Sequence, residues 1–501
     1  MVDHGVKNQK DYKGGVALFE VGKMYPPREH KDRIDRYREN AELVRCNADL
    51  INRLSEEIEV EPKRYIYANY AGLICKKAAD LLFGDSPIYS AGEEASAEQT
   101  ALDRIVKDNT LNTTNYEMAH GNAYRGDSFY KVKWAQEYRG ILPESQDPYR
   151  AVIESQNAAY VFPETVPGNA KKVAAYHIAV PIAFPEEGRT RWELHVETHV
   201  PGEITFSKFG MNALTTRNDE VTSWTITEEL GGDEAPLKTG VPAPLIVHVP
   251  NFSFDDSWCG LDDISEHRAL FREINNRLTQ IASILDKHAD PILTVPSGVL
   301  EDGPDGVPQQ RAAYAKVFEV VDSGSVVPQY VTWDGQLESA FKELDKLIDT
   351  LLTTSELPPI ALGKENAGTS GATGLAVKYR MNPLLSKIAR KRQYFDKALT
   401  EALFIAQLLE QSQSNETLDY TPTKPHIIFS DGLPTDDREQ AEIAQIRTGG
   451  KSTMSVRDAI KRLDGVNDEQ AEQALRRIDE DETRVGGIAD SASADAVFNN
   501  G

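Results

Sequence analysis

The sequence predicts an α+β fold, and three observations carry that prediction. From residue 121 to about residue 249, segments such as SFYKVKW, AYVFP, AAYHIAVPIAF, RWELHVETHV and PLIVHVP alternate or run β-branched, with Pro and Gly between them. That is the pattern of about eight short strands. Residues 263–289 and 334–357 place apolar side chains every three or four positions, the period of two amphipathic helices. A third helical stretch, 374–412, is the longest. A chain of 501 residues holds about two to four compact units.

Ahead of the strands, residues 28–58 carry periodic apolar positions (Ile34, Tyr37, Leu43, Leu50, Leu54, Ile58) among many charges and read as surface helices. Pro62 begins the next piece. The run ANYAGLICKKAADLLFG reads as a short helix with small residues on one side, which lets a neighbour approach closely, and Gly84 stops it. Residues 98–118 are again helical. Residues 1–262 thus form an N-terminal region of helices followed by strands.

Asp263 opens the first striped helix, with Glu266 three residues on as a capping box. Leu270, Ile274, Leu278, Ile281, Leu285 and His288 follow on one face, until Asp290 and Pro291 end the pattern. Residues 290–333 hold strand-like pieces (PILTVPS, AKVFEVV, PQYVTW) around the turn-rich EDGPDG, a small β extension. Asp334 opens the returning helix, with Leu337, Phe341, Leu344, Ile348 and Leu351 on one face, and Pro358 and Pro359 end it. Two such helices flanking a β insertion imply a protruding rod with a knob at its tip. Each stripe is larger than its mate can cover, so copies packed side by side would bury the remainder.

Residues 358–373 differ from everything around them. Gly363, Gly368 and Gly371, with Gly374 beyond, bring backbone freedom and almost no burial, which suits a moving part or the wall of a passage. In the helix that follows, Pro383 predicts a kink near Met381. Its first half is basic (Lys378, Arg380, Lys387, Arg390, Lys391, Arg392, Lys397) with Asp396 opposed, and its second half, ALTEALFIAQLL, is apolar enough to be buried. The basic run reads as a solvated helix face, as a patch pairing with acidic surface of a neighbouring copy, or as a direct DNA contact. Within 413–483, Asp436 or Asp437, Ser455 and Asp468 are natural N-caps for three short helices. Residues 484–501 are small and polar, the composition of a disordered tail.

A formal charge of −24 opposes tight wrapping of nucleic acid, which needs clustered cations. It is compatible with a wall past which nucleic acid slides, because negative surface prevents sticking. Cys46, Cys75 and Cys259 are scattered and make no disulfide framework, so folding in a reducing cytosol is expected. The polar start MVDHGVKNQKDYKGG carries no signal peptide core. No run approaches the roughly 20 apolar residues of a membrane span.

Candidate chemistry is sparse. The GGKST run at 449–453 invites a phosphate-loop reading, but Gln445 stands where that loop needs glycine and no strand precedes it. A turn before a Ser455-capped helix accounts for the same residues. His195, Glu197 and His199 alternate on one strand face and could hold a metal or centre an enzyme; a polar outer face explains them equally well. His288 reads as a packed or interface histidine. With no GxSxG, HExxH or spaced acidic cluster, the expectation is no catalytic residue, no metal and no cofactor.

Several segments, in their order and spacing, resemble the portal proteins of tailed bacteriophages of the siphovirus type. RYIYANYAGLICKKAADLLFGDSP is similar to the family's early helix and its turn, and the glycines Gly121 and Gly126 resemble the start of its wing β region. TSGATGLAVKYRMNPLLSKIARKRQYFDKAL resembles the run into its long wing helix, and IIFSDGLPTDDREQAEIAQ, MSVRDAIKRL and VNDEQAEQALRRIDEDE resemble its crown.

The resemblance implies a portal fold with an N-terminal wing (1–262), stem helix 1 (263–289), clip (290–333), stem helix 2 (334–357), tunnel loop (358–373), kinked wing helix (374–412), crown (413–483) and tail (484–501). It implies a homo-oligomeric ring of about twelve subunits at one capsid vertex of the virion, assembled in the host cytoplasm. Double-stranded DNA would be packaged and ejected through that ring. The clip would meet the terminase large subunit and later the head–tail adaptor, with major capsid and scaffolding proteins as further partners. Lys364, Glu365, Asn366, Thr369 and Ser370 would face DNA. Leu270, Ile274, Leu278, Ile281, Leu337, Phe341, Leu344, Ile348, Arg390 and Arg392 are the residues expected between subunits. The motor's ATP would be spent by a partner. The alternative is another ring-forming head–tail connector or capsid structural protein without a DNA-gating loop, although adaptors are usually shorter.

Overall fold

A computed structural model describes residues 18–58, 64–93, 95–186, 188–217, 220–231, 235–289, 337–364, 374–414, 418–430, 437–450, 452–464 and 470–480, with short strands between 292 and 331. The chain divides into two compact units, Met1–Gly371 with Val377–Gly432, and Ala372–Ala376 with Leu433–Gly501.

The first unit opens with β1 (Met24–Tyr25), α1 (Arg28–Arg45), α2 (Ala48–Glu57), α3 (Tyr70–Phe83), β2 (Ile88–Ser90), α4 (Ala97–Asp108) and α5 (Leu111–Arg125). Asn69 starts α3 by accepting from the Gly72 N–H at 2.7 Å, and Ser96 starts α4 by accepting from Gln99 N–H at 3.1 Å. The small side chains of α3 do what the sequence suggested: Ala71, Cys75, Ala78 and Ala79 are buried and α3 packs on α5. The stretch expected as one helix over 98–118 is two, because Thr110 takes a left-handed conformation between α4 and α5. Residues placed at the start of the β region lie in α5. Gly121 is helical and buried, and the turn falls at Gly126, whose φ of +91° ends the helix.

Nine strands then follow, some far longer than expected: β3 (Asp127–Ala135), β4 (Arg150–Gln156), β5 (Val161–Val166), β6 (Asn169–Glu186), β7 (Arg189–Val200), β8 (Glu203–Arg217), β9 (Glu220–Glu229), β10 (Leu237–Lys238) and β11 (Ile246–Pro250). Six of them join β1 in a seven-stranded antiparallel sheet ordered β1-β9-β8-β7-β6-β5, with β10 added beside β8. Hairpins join β6 to β9 in sequence, so neighbours in the chain are neighbours in the sheet. A second sheet runs β11-β3-β4. The large sheet and α1 enclose one core (Phe19, Tyr25, Ile34, Phe162, Leu194, Met211, Trp224, Ile226). A second core joins α1 to β3 and β11 through Tyr37, Phe129, Val161, Ile178 and Ile246.

The striped helices are α6 (Arg268–Ala289) and α7 (Leu337–Thr354), which pack on each other. Between them lie β12 (Ile292–Pro296), β13 (Glu301–Asp302), β14 (Pro308–Gln309), β15 (Lys316–Val320) and β16 (Gln329–Val331). In that extension β12 pairs parallel with β15 and antiparallel with β16. The helical path into α6 is capped one residue earlier than expected. Asp262, not Asp263, accepts from Ile264 N–H at 3.0 Å and Ser265 N–H at 2.6 Å, ahead of a short 3-10 turn at Ser265–His267.

The long helix α8 (Gly374–Gln413) runs through Pro383 without interruption. Its second half is buried as expected, with Leu399, Ala402, Leu403, Ile405 and Ala406 all in the core. Phe395 meets Phe83 edge to face at 5.1 Å, and Glu410 accepts two bonds from Arg104 at 3.1 and 2.7 Å. β17 (His426–Ile428) then pairs with β2. In the second unit α9 (Asp437–Thr448) and α10 (Val456–Asp464) pack together, and residues 470–480 are helical. Ser455 caps α10, accepting from Asp458 N–H at 3.0 Å. Asp436 and Asp468, named as caps, lie outside the described residues, as does the tail 484–501.

Candidate functional site

The chemistry of this chain concentrates where α6 starts, α7 ends and α8 passes both. Asp263 lies buried directly before the turn into α6. Lys391 Nζ sits 2.6 Å from its Oδ2 and Lys387 Nζ 3.3 Å from its Oδ1. The two lysines are four residues apart, one helical turn, so α8 presents them on one face. Lys391 also donates to Asn251 Oδ1, while Asn251 Nδ2 donates to Asp263 Oδ1 at 3.1 Å. Burial alone would push the Asp263 carboxyl upward, but the two ammonium groups hold it down at about 2. At Lys391 burial outweighs the neighbouring carboxylate and the ammonium is shifted down.

Lys387 carries this centre on to α7. Its Nζ donates to the Ser355 carbonyl at 3.2 Å, one of the orphan acceptors that every helix end leaves. Glu356 follows in a left-handed conformation, φ 58°, and its carboxylate pairs with Arg390, three residues beyond Lys387 on α8. The two residues that follow α7 are therefore tied to α8 at positions three residues apart. The start of α6 and the end of α7 meet the same lysine, so the two helices run antiparallel. A 3-10 turn at Pro359–Leu362 leads away, closed by Gly363 at φ +68°.

A second buried carboxylate fixes the segment feeding α6. Asp127, at the head of β3, accepts from Tyr37 OH, from His248 Nε2 at 2.7 Å and from Gly260 N–H at 2.8 Å. Burial would raise its pKa, but these bonds and the nearby Arg33 keep it lowered. The Cys259 thiol donates to it at 3.2 Å and is pushed up to about 12 by burial and then by that carboxylate, which makes it an inert thiol. Gly126 and Gly260 cross here. A Cβ on Gly126 would stand 2.6 Å from the Gly260 carbonyl, and one on Gly260 would stand 2.0 Å from the Gly126 carbonyl.

Beside the junction opens a cleft of about 620 Å³, walled by Phe252, Phe254 and Leu261 and floored by Asp263, Ser355, Lys387 and Lys391.

The residues singled out from sequence fall as follows. Lys364 is exposed just after the 3-10 turn, its N–H bonded to the Pro359 carbonyl at 3.1 Å. Glu365, Asn366, Thr369 and Ser370 lie outside the described residues. On the striped helices Ile274, Ile281 and Leu344 are buried within the chain itself, Leu270, Leu278 and Ile348 are half-buried, and Phe341 is exposed. The side chains of Leu337 and His288 lie outside the described residues. Arg392 donates to the carbonyls of Leu81, at 3.0 Å, and Ser430, so both Arg390 and Arg392 hold partners in their own chain. The basic run thus splits between buried anchors, paired rims and exposed cations.

His195 and His199 pair with carboxylates of their own strand, His195 with Glu193 at 2.9 Å and His199 with Glu197 at 3.3 Å, while Lys131 covers Glu197 at 2.7 Å. Among the described residues no group of three or more His, Cys, Asp or Glu side chains could hold a metal ion. Of the GGKST run, Gly449 and Thr453 donate back to the Gln445 and Arg447 carbonyls, a helix ending. Among the described residues no helix is long and apolar enough to cross a membrane.

Sequence reasoning missed Asn251, Ser355 and Asp127. The signal for the lysines was present in their four-residue spacing, but nothing in the sequence says that Asp263 and an Asn twelve residues before it face that turn. Compared with known protein families, residues 26–484 match the family described as "Phage portal protein, SPP1 Gp6-like". No curated protein matches the chain.

Proposed function

This chain belongs to the phage portal family and has the general portal or connector role of that family, and we propose that it assembles as the ring through which double-stranded DNA passes at a capsid vertex. In this reading the wing is 1–262, α6 and α7 are the stem, 290–333 the clip, 358–373 the tunnel loop, 374–412 the wing helix and 413–483 the crown. The ring holds about twelve copies, sits in the virion, and forms in the host cytoplasm with capsid and scaffolding proteins. The clip docks the terminase large subunit during packaging and the head–tail adaptor afterwards. The role is structural, and the ATP that drives DNA is spent by the terminase.

The observation that carries the reading is the junction. Two antiparallel striped helices and the base of a Gly-rich polar loop are held on one helix by Lys387, Lys391 and Arg390. A rigid base under a backbone-rich loop is what a collar around a sliding polymer needs, because DNA must pass with no fixed register and few base-reading contacts. Lys364, Glu365, Asn366, Thr369 and Ser370 are the proposed DNA-facing group. The test is deletion of residues 361–371. Rings seen end-on by electron microscopy should persist while DNA packaging is lost; normal packaging by the deleted protein would remove the loop assignment.

A further inference from the structure

The buried centre at Asp263 holds more than an ion pair. Asn251, which directly follows β11, Asp263 and Lys391 are only 2%, 8% and 4% exposed, and each of the three touches the other two. Lys391 Nζ donates to Asn251 Oδ1 and lies 2.6 Å from Asp263 Oδ2. Asn251 Nδ2 donates to Asp263 Oδ1 at 3.1 Å and to the Leu261 carbonyl at 2.9 Å. Both amide hydrogens are thus used, and the amide oxygen faces the amine. The backbone of Asn251 is fixed as well, its N–H bonded to the Gly126 carbonyl at 2.7 Å.

An amine, an amide carbonyl and a carboxylate in this arrangement are the nucleophile, the electrophile and the proton carrier of an acyl transfer. The carboxylate gives one oxygen to each nitrogen, Oδ2 to the incoming Nζ and Oδ1 to the leaving Nδ2. Nζ already touches the amide oxygen, so it has only to move onto the face of the adjoining Cγ. Reactants held this way gain the advantage of an intramolecular reaction, and burial keeps out water, the competing nucleophile. An ammonium cannot attack. Burial shifts Lys391 down toward the neutral amine, Asp263 works against that shift, and Lys387 adds to it. A desolvated lysine beside a second cation is an activated nucleophile. Lys387 Nζ, 3.3 Å from Asp263 Oδ1, stays to balance the carboxylate.

We propose that Lys391 and Asn251 join through an isopeptide bond within the chain, with Asp263 carrying the proton. The lone pair of neutral Nζ forms a bond to Asn251 Cγ, the carbonyl pair moves to Oδ1, and Asp263 takes one proton from Nζ. The carbonyl then re-forms, the Cγ–Nδ2 bond breaks, and Asp263 returns that proton to Nδ2. A Cγ–Nζ amide remains and one ammonia leaves, with no oxidant, reductant or cofactor consumed. The cleft lined by Asn251, Asp263 and Lys391 gives the ammonia a way out. The two residues are 140 positions apart, so the bond closes a covalent loop that includes α6, the β extension and α7, and such a closure restricts the unfolded chain. The bond lies within one copy and is independent of the ring.

The test is the mass of the purified full-length chain, measured after denaturation. It should fall below the mass of the sequence by one ammonia. Asn500 precedes Gly501, a pair that also sheds ammonia when it closes a cyclic imide, so the deciding observation is a branched tryptic peptide that joins residue 251 to residue 391. Lys391→Arg keeps a cation that does not deprotonate, and Asn251→Ala removes the electrophile; each should abolish the branched peptide. Asp263→Asn keeps the shape but not the proton carrier, and should form little of it. Circular dichroism checks that the variants fold, and the wild-type result decides the bond whatever the variants do. Folded wild-type chain that yields only separate peptides carrying Asn251 and Lys391, after prolonged incubation at mildly alkaline pH, overturns the bond and leaves a buried salt bridge. A branched peptide formed by Asp263→Asn in the wild-type amount overturns the part given to the carboxylate.

Discussion

At the scale of single residues the junction depends on charge held away from water. Lys391 is buried and its partner Asp263 equally so. Lys391→Met would leave that carboxylate with Lys387 as its remaining cation, and removing one member of a buried pair costs about 3–5 kcal/mol. Urea unfolding of the variant should show a loss of that order. Arg390→Ala removes an exposed pair with Glu356, and should cost no more than about 1 kcal/mol. A comparable loss from both would contradict the division into buried anchor and surface rim. Acid should act in two steps. Burial, with Arg33 adding to it, lowers His30 to about 3, and His177 and His199 are also shifted down by burial. Below pH 6.5, their ordinary value, the unfolded chain binds protons that the folded chain does not, so stability falls as pH falls. Asp263 adds a second loss between its ordinary 3.8 and about 2, again because only the unfolded chain takes up the proton. Melting temperatures measured from pH 7.5 down to 5 should decline, and His30→Gln should flatten that decline. A flat profile in the wild type would mean the buried histidines are not neutral.

At the scale of elements the controlling feature is the crossing of Gly126 and Gly260, where the end of α5 passes the segment that feeds α6. Gly126→Ala meets two penalties, a left-handed φ of +91° and a Cβ 2.6 Å from the Gly260 carbonyl. The left-handed strain alone is of order 1–3 kcal/mol, so denaturant unfolding should show at least that loss. The same substitution at Gly140, also at positive φ but with nothing within 4 Å of a Cβ, should cost less. These elements also show how far periodicity reaches. The stripes of α6 and α7 were legible because burial repeats with the helical turn. The length of β6 was not, since Pro185, which ends the segment AAYHIAVPIAF in the sequence, stands within its ladder to β7 opposite Thr190. The break at Thr110 carried no glycine or proline to mark it.

At the scale of the whole molecule the formal charge of −24 sets the terms. All four cations of α8 from Lys387 to Arg392 are engaged within their own chain. A short duplex added to assembled rings should bind weakly and lose what binding it has as salt rises. Tight, salt-resistant binding would argue against a passage built for sliding. Mass measurement of the purified chain should give a closed multimer near 12 copies, and a stable monomer at high concentration would count against the ring.

The sequence by itself determined the fold class, the two striped helices with their β insertion, the polar loop, the long helix and the family. All of these are written in local periodicity, punctuation and order along the chain. The tertiary structure alone decided that Asp263, Asn251, Ser355 and two lysines form one buried centre, and that Asp262 rather than Asp263 caps the turn into α6. The physical reason is that burial and pairing depend on which distant segments meet, and hydrogen bonds between residues 128 positions apart, as in Lys391 to Asp263, leave no periodic trace in either segment.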